Sequence, residues 1–376
     1  MNIAFDAKRY FNNATGLGFY SRTLVDGLCS YYPEHTYRLY TPYNKGRLGS
    51  AGDNMRLPNT LLGRIFHPIW RSHGLTRQLK HDGMDVFHGL SHELPVGLRR
   101  SGIRSVVTMH DLIFLRYPAL YPAMDRLFYT KKYRRSAEEA DQVVAISQQT
   151  RADLEVYFGI SPARVRVIGQ SCDPAFARLS LRVQPDPSAQ PLPGKLSIPE
   201  QGYWMAVGSL TQRKNWHRLL DALFILKNQG DELPLVVVGT GKGAYAEGLR
   251  AQAKRLGLCV YWIDGHISTE ELARLYRRAT ALVYPSVFEG FGIPILEAMT
   301  IGIPVVTSCG GCFEEVGGAA ALYADPLRVD DLAAQMGQVL ASDVRKRLVT
   351  AGTAQINLFS PEKICAAWMD VYQHLV

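Results

Sequence analysis

The chain alternates short apolar runs of four to six residues with longer segments in which apolar positions recur every three or four residues. The first pattern belongs to buried strands, the second to amphipathic helices. Asn2–Asp6 predicts a strand, a turn-rich stretch through Gly16 and Gly18 follows, and 19–31 has the helical period. The alternation continues with strands at 37–40, 85–88, 105–110, 143–146 and 165–168. Helices are expected at 125–140 and at 148–158, the latter with Ser147 as its N-cap. Between 178 and 202 the pattern stops, where Pro185, Pro187, Pro191, Pro193 and Pro199 interrupt a polar stretch that no helix or central strand accommodates.

It then restarts, with strands at 203–207, 235–238, 260–263, 281–284 and 304–307 and helices at 216–229, 245–256 and 269–279. Ser268 and Glu271 form a capping box before the third of these helices, and Ser360 with Pro361 opens a last helix over 361–375. Short strands separated by helices imply a parallel sheet covered on both faces. The expected fold class is therefore α/β, with two Rossmann-like domains at 1–177 and 203–355 joined by a proline-rich linker at 178–202. A C-terminal helical segment at 356–376 is expected to return towards the first domain. The two domains should face each other across a cleft at the carboxyl ends of their sheets, where ligands of such sheets bind.

Composition supports a folded protein: of 376 residues, 47% are hydrophobic and 20% charged, which excludes disorder and coiled coil. No run of 18 apolar residues and no secretory h-region are present, and six cysteines are too few for a disulfide framework, so the expected compartment is the cytoplasm. The charge is uneven. Residues 1–175 carry 23 Lys and Arg against 15 Asp and Glu, whereas 176–376 carry 19 of each. A basic half attracts nucleic acid, phosphorylated small molecules or an anionic membrane. No zinc-finger or RNP-like pattern appears, which argues against nucleic acid.

Candidate chemistry concentrates in 284–299, where Glu289 and Glu297 stand with seven residues between them, Gly290-Phe291-Gly292 among these. Carboxylates accept hydrogen bonds from sugar hydroxyls, glycines admit a ligand close to the backbone, and the turn opens a helix at whose N-terminus an anion is favoured. In isolation, Glu297 also reads as a helix-dipole partner beside an ordinary turn. Arg213 and Lys214 follow the first strand of the second domain, a fork and a point charge suited to a diphosphate, although adjacent cations are usually just solvated. His110 ends a strand, as a structural histidine often does. Gly16 and Gly18 open a helix without completing a dinucleotide fingerprint. Cys309 and Cys312 lack the second pair a zinc site needs, and no Asp-x-Asp occurs to carry a bridging divalent ion.

Over nearly its whole length the sequence resembles the retaining glycosyltransferases of family 4, of GT-B fold, especially bacterial mannosyltransferase-like members that build surface polysaccharides. The matching segments are Gly16 with Gly18, 107–112, 144–147, 207–210 with 213–215, 237–239, 265–268 and, most specifically, 288–299. The resemblance implies a metal-independent, retaining hexosyltransferase with no cofactor, taking a nucleotide sugar, with GDP-mannose leading, to a glycan or polyprenyl-diphosphate-linked acceptor. It places Glu289 on the donor sugar with His110 contributing to the chemistry. Gly16, Gly18, Arg213, Lys214, Gly290, Phe291 and Gly292 fall to the sugar diphosphate, and Glu297, His266, Ile267 and Gly239 to the nucleoside. Ser209 departs from the arginine common in relatives, and 308–313 departs from their usual small-residue, Leu-Pro run.

A UDP-sugar transferase of the same fold and a non-catalytic nucleotide-sugar-binding subunit remain as alternatives. An epimerase lacks reason to carry 288–299, and a dehydrogenase lacks its fingerprint. Within 45–135 there are 16 Lys and Arg against 6 Asp and Glu, interleaved with large apolar residues in 61–77 and in 125–135. That pattern suits peripheral docking on an anionic membrane through Lys131, Lys132, Arg134 and Arg135, or equally a solvated helix face.

Overall fold

The computed structural model describes residues 1–44, 48–49, 52–180, 198–199, 202–265 and 267–376. The chain divides into two compact units, Met1–Ser171 with Phe359–Val376, and Cys172–Leu358.

The first unit holds strands β1 (Asn2–Asp6), β2 (Thr36–Tyr40), β3 (Met55–Arg56), β4 (Val86–Gly89), β5 (Arg104–Met109), β6 (Gln142–Ala145) and β7 (Val165–Val167). They form one parallel sheet in the order β3-β2-β1-β4-β5-β6-β7. Because side chains alternate along a strand, each strand feeds two cores. Ile3, Phe5, Val86, Val106 and Val144 pack on one face. Ala4, Phe87, Val107 and Val143 pack on the other, with Trp70, Leu79 and Leu154. Such two-sided burial is why these strands read as continuous apolar runs.

The C-terminal helix Pro361–Leu375, capped by Ser360, lies on the first of these faces against the helix Gly16–Tyr31. Trp368 and Tyr372 are fully buried there, and Tyr372 Oη lies 2.7 Å from His88 Nδ1. Gly27 permits the close helix approach, since a Cβ at that position would stand 2.7 Å from Cys365 Sγ.

The second unit holds β8 (Trp204–Val207), β9 (Leu235–Val238), β10 (Val260–Ile263), β11 (Ala281–Tyr284), β12 (Val305–Ser308) and β13 (Ala321–Ala324), again all parallel, in the order β10-β9-β8-β11-β12-β13. Trp204, Ala206, Val237, Val283 and Val306 pack on residues of helices Trp216–Asn228, Ala244–Arg255 and Val329–Gln338. The capping box is formed, with Ser268 Oγ accepting from Glu271 N at 3.2 Å and Ser268 N donating to Glu271 Oε2 at 2.7 Å.

The expected boundary at 177 is displaced. The second unit begins at Cys172, because helix Pro174–Ser180 packs on helices Thr269–Arg278 and Ile293–Ile301. Most of the expected linker, 181–197 and 200–201, lies outside the described residues.

Candidate active site

In the second sheet the strand order reverses between β8 and β11, and the loops leaving the carboxyl ends of these two strands carry Arg213, Lys214 and Glu289. Such a switch point is where open parallel sheets bind ligands. Asn215 ties the two loops together. It adopts φ 62°, is fully buried, and its side-chain amide donates to the Pro285 carbonyl (3.0 Å) and the Pro326 carbonyl (2.6 Å). Val287 N donates to Arg213 O at 2.8 Å. Gly208, at φ 141°, lets the Lys214 chain cross its backbone, since a Cβ there would lie 2.9 Å from Lys214 Cε.

Glu289 is thereby held between two cations, 2.7 Å from Lys214 Nζ and 2.5 Å from Arg213 Nη1. Burial by itself would raise the Glu289 pKa, but the Lys214 and Arg213 charges outweigh it and hold the carboxyl at about 2. Lys214 is lowered from its ordinary value by burial, which the Glu289 charge opposes. Lys214 Nζ also donates to Tyr284 Oη (2.7 Å), and Arg213 donates to the Phe288 carbonyl (2.5 Å). The next turn, Gly290-Phe291-Gly292, is buried, and Gly292 at φ 117° is the N-cap of the helix Ile293–Ile301. The cluster presents one fixed carboxylate and two cations, able to accept from hydroxyls and to neutralise phosphate oxygens.

Glu297, on that helix, is not part of this cluster. Its Oε2 accepts from Tyr276 Oη at 2.8 Å. Burial raises its pKa to about 7, the Tyr276 hydrogen bond opposing and Asp173 reinforcing the shift. Gly239 packs against the chain itself, a Cβ there falling 1.8 Å from the Gly208 carbonyl oxygen. Ile267 is half-buried just before helix Thr269–Arg278, and His266 lies outside the described residues.

In the first unit, His110 follows the end of β5 and is 4% exposed, its Nε2–H donating to the Leu90 carbonyl (2.8 Å). Burial drives its pKa down to about 3, so it is neutral with Nδ1 as the acceptor nitrogen. Gly16 is exposed with open space around it. Gly18 serves the chain's own packing, because a Cβ there would meet the Asn13 carbonyl oxygen at 1.8 Å.

The basic run on helix Ala123–Glu139 is largely committed to the protein itself. Lys132 pairs with Glu93 at 2.5 Å, Arg134 donates to Tyr157 O (2.9 Å), and Arg135 donates to Leu94 O (2.6 Å). Lys131 is exposed. Sequence reasoning placed Tyr284 and Asn215 inside its candidate segments but gave neither a role of its own. The signal for Asn215 was its place directly after the basic pair in a turn, where asparagine tolerates a positive φ. Cys312 is also placed here, its Sγ donating to the Glu289 carbonyl at 3.2 Å, while Cys309 is exposed.

Comparison with known proteins adds the lineage. Residues 14–176 match the family model "Glycosyltransferase Family 4", and 192–355 match "Glycosyl transferases group 1". The chain is 32% identical over 297 residues to the O-antigen chain mannosyltransferase B of Escherichia coli, covering 77% of this chain and 74% of that one. It is 28% identical to the O-antigen chain mannosyltransferase RfbU of Salmonella typhimurium, covering 58% of this chain and 56% of the relative. Among solved structures, WaaG, a glycosyltransferase involved in lipopolysaccharide biosynthesis, is similar in fold over 98% of this chain and 99% of its own, with a TM-score of 0.72 at 20% identity. Two parallel α/β units with this full-length likeness constitute the GT-B architecture, and with both halves matched in order the chain belongs to the family 4 glycosyltransferases.

Proposed function

We propose that this glycosyltransferase moves a mannosyl group from GDP-mannose to a glycan or lipid-linked acceptor in cell-surface polysaccharide synthesis, with retention at the anomeric carbon and without a metal ion. The observation that carries the reading is Glu289 held ionised between Lys214 and Arg213 at the switch point of the second sheet. The mannose donor is supported by the O-antigen mannosyltransferases among the relatives.

In this reading Arg213 and Lys214 bind the donor diphosphate and Glu289 accepts hydrogen bonds from the sugar hydroxyls. The bond from the anomeric carbon to the diphosphate breaks and a bond to the acceptor oxygen forms on the same face. The acceptor proton passes to the departing phosphate oxygen. The preorganised cations stabilise the charge that develops on the diphosphate, a task otherwise served by a divalent ion. His110 contributes a hydrogen bond to the sugar, and Glu297 with the segment around His266 and Ile267 receives the nucleoside. Calorimetric screening of GDP-, UDP-, ADP- and dTDP-sugars tests the donor, and release of free nucleotide by the purified protein distinguishes an enzyme from a binding subunit. Transfer will persist in excess EDTA; loss of activity that Mg²⁺ or Mn²⁺ restores would exclude the metal-free mechanism.

Peripheral docking on an anionic membrane belongs to the same proposal, through the apolar residues of the two expected stretches, 61–77 and 125–135, and their immediate surroundings. Leu61, Leu62, Ile65, Phe66 and Ile69 are between 51% and 75% exposed, and Met124, Leu127 and Phe128 are exposed at the start of the helix that carries Lys131. Apolar residues inserted beside cations give a peripheral helix its affinity. Sedimentation with anionic liposomes at low salt is expected, and Leu62→Ser with Phe66→Ser and Phe128→Ser should abolish it. Unchanged sedimentation of that variant would remove this surface from the model of docking. No helix among the described residues is long and apolar enough to cross a membrane.

A further inference from the structure

The first sheet has its own switch point, between β1 and β4, where the strand order turns from β2 and β3 on one side to β5 onward on the other. The chain leaving β1 supplies Asp6, Lys8 and Arg9, and the chain leaving β4 supplies His92 and Glu93. Both carboxylates are already answered: Arg71 pairs with Asp6 and with Glu93, and Lys132 pairs with Glu93. Arg71 reaches them from Trp70–Gly74, a stretch of π-helix, a distortion often found at functional sites. Asp111, the next carboxylate along this edge, accepts from Ile113 N at 3.1 Å.

Lys8 and Arg9 are different. Both are half-buried, and among the described residues neither has an ion-pair partner. Burial, and then the nearby Arg71 and Arg9 charges, lower the Lys8 pKa from its ordinary value, and the Asp6 and Glu93 charges, which Arg71 and Lys132 also use, oppose that shift without cancelling it, so an anion would relieve the crowding of cations. Beside them His92 adopts φ 63°, a strained conformation for histidine, and is 6% exposed. Its Nδ1 is buried with no hydrogen-bond partner, and its ring stacks on Tyr133 at 4.4 Å and lies 5.2 Å from the ring of His110. The Arg9 charge acts on His92, His110 and Tyr133 together, which places it at the same edge. Strain, an unpartnered imidazole nitrogen and two cations with no ion pair among the described residues coincide at a switch point of the kind where open parallel sheets bind ligands.

We propose that this edge recognises a phosphate group on the acceptor, with Lys8 and Arg9 as its ligands and His92 beside the sugar next to it. The proposal rests on the glycosyl-transfer reading and deepens it: the acceptor is a phosphorylated or diphosphate-linked saccharide, not a neutral one. A lysine and an arginine side by side fit a doubly charged phosphate, through a point charge and a planar fork. This cation pair is separate in sequence and in strand from Arg213 and Lys214, so the two sites can be loaded and measured independently.

The test is calorimetric titration of the full chain with inorganic pyrophosphate, mannose 1-phosphate, mannose and micellar farnesyl diphosphate. Each is run with saturating GDP or UDP present, so that the second unit's cations are already engaged. Both phosphorylated soluble probes should bind and mannose should not. Lys8→Ala with Arg9→Ala should weaken them at least about tenfold, the loss of one charge-assisted hydrogen bond, with nucleotide affinity unchanged. Lys8→Arg and Arg9→Lys, which keep the charge, should stay within about threefold and show that loss in the double variant is not misfolding. Tighter binding of farnesyl diphosphate than of pyrophosphate assigns the phosphate to a lipid carrier, and equal binding assigns it to a soluble saccharide. If the nucleotide binds but the phosphorylated probes bind no better than mannose, or if the double variant binds them as the wild type does, the phosphate site is wrong and the donor reading stands. If no nucleotide binds, the donor reading fails by itself while the comparison between wild type and double variant still decides this site.

Discussion

Replacing Glu289 with glutamine will lower turnover by about 10²–10³-fold, the loss typical of removing one preorganised group at a reacting centre, while affinity for the free nucleotide stays within about threefold or tightens. The asymmetry follows from the geometry. Glu289 is the shared counter-ion of Lys214 and Arg213, and its pKa of about 2 keeps it charged throughout the physiological range. Glutamine retains its shape and one acceptor oxygen but not the charge. The cations are then freer to meet a diphosphate, so ground-state binding of the nucleotide does not suffer. The sugar hydroxyls lose their charged acceptor, and that loss falls on the transfer step. Turnover and nucleotide calorimetry on the same preparation decide it. Small, equal changes in both would reduce Glu289 to a structural counter-ion.

The second large effect is on pH dependence. Glu297 has its pKa raised from 4.5 to about 7, first by burial, with the nearby Asp173 adding to the shift and the Tyr276 hydrogen bond and the Lys214 charge opposing it. The folded chain therefore holds a proton between these values that the unfolded chain releases. Stability falls as pH rises from 4.5 through about 7 and is flat above, the opposite of a salt-bridged carboxylate. Because Glu297 keeps some contact with solvent, screening limits the loss to an order of 2 kcal/mol. Glu297→Gln should remove most of that slope in thermal unfolding between about pH 5 and about pH 8. If ribose hydroxyls donate to this carboxyl, nucleotide affinity in the wild type will also rise with pH across the same window, as the acceptor becomes ionised, and the glutamine variant will bind more weakly with a flat profile. A wild-type affinity that ignores pH would remove Glu297 from the nucleoside site.

The candidate site was legible in part. Glu289, Arg213 and Lys214 stood out because charged residues beside glycines, directly after buried strands, have few structural uses. Their convergence on one cluster depends on Asn215 in a left-handed turn and on strands β8 and β11 lying side by side, although 73 residues of other elements separate those strands. The basic run 131–135 shows what a linear sequence leaves out, because it displays charge and not its partner. Glu93, Leu94 and Tyr157 take up Lys132, Arg135 and Arg134 from other parts of the chain. Lys8, Arg9 and His92 drew no attention for the converse reason. Nothing local shows that the carboxylates near a cation are taken up by other cations, and His92 lies 83 residues from Arg9 along the chain.

What the sequence determined alone was the alternation of strand and helix, the parallel two-sheet class, the caps at Ser147, Ser268 and Ser360, and the glutamates around 290–292. These follow from side-chain periodicity and from hydrogen bonds within a few residues, interactions that any local window contains. The tertiary structure decided the strand order, and with it the two switch points. It also assigned Pro174–Ser180 to the second unit and paired Glu297 with Tyr276 instead of leaving it open, and it selected which cations are answered and which are not. Those outcomes depend on contacts between residues tens to hundreds of positions apart, and on how much water each charge keeps. Burial and distance set the strength of a charge, and neither is written in the order of the residues.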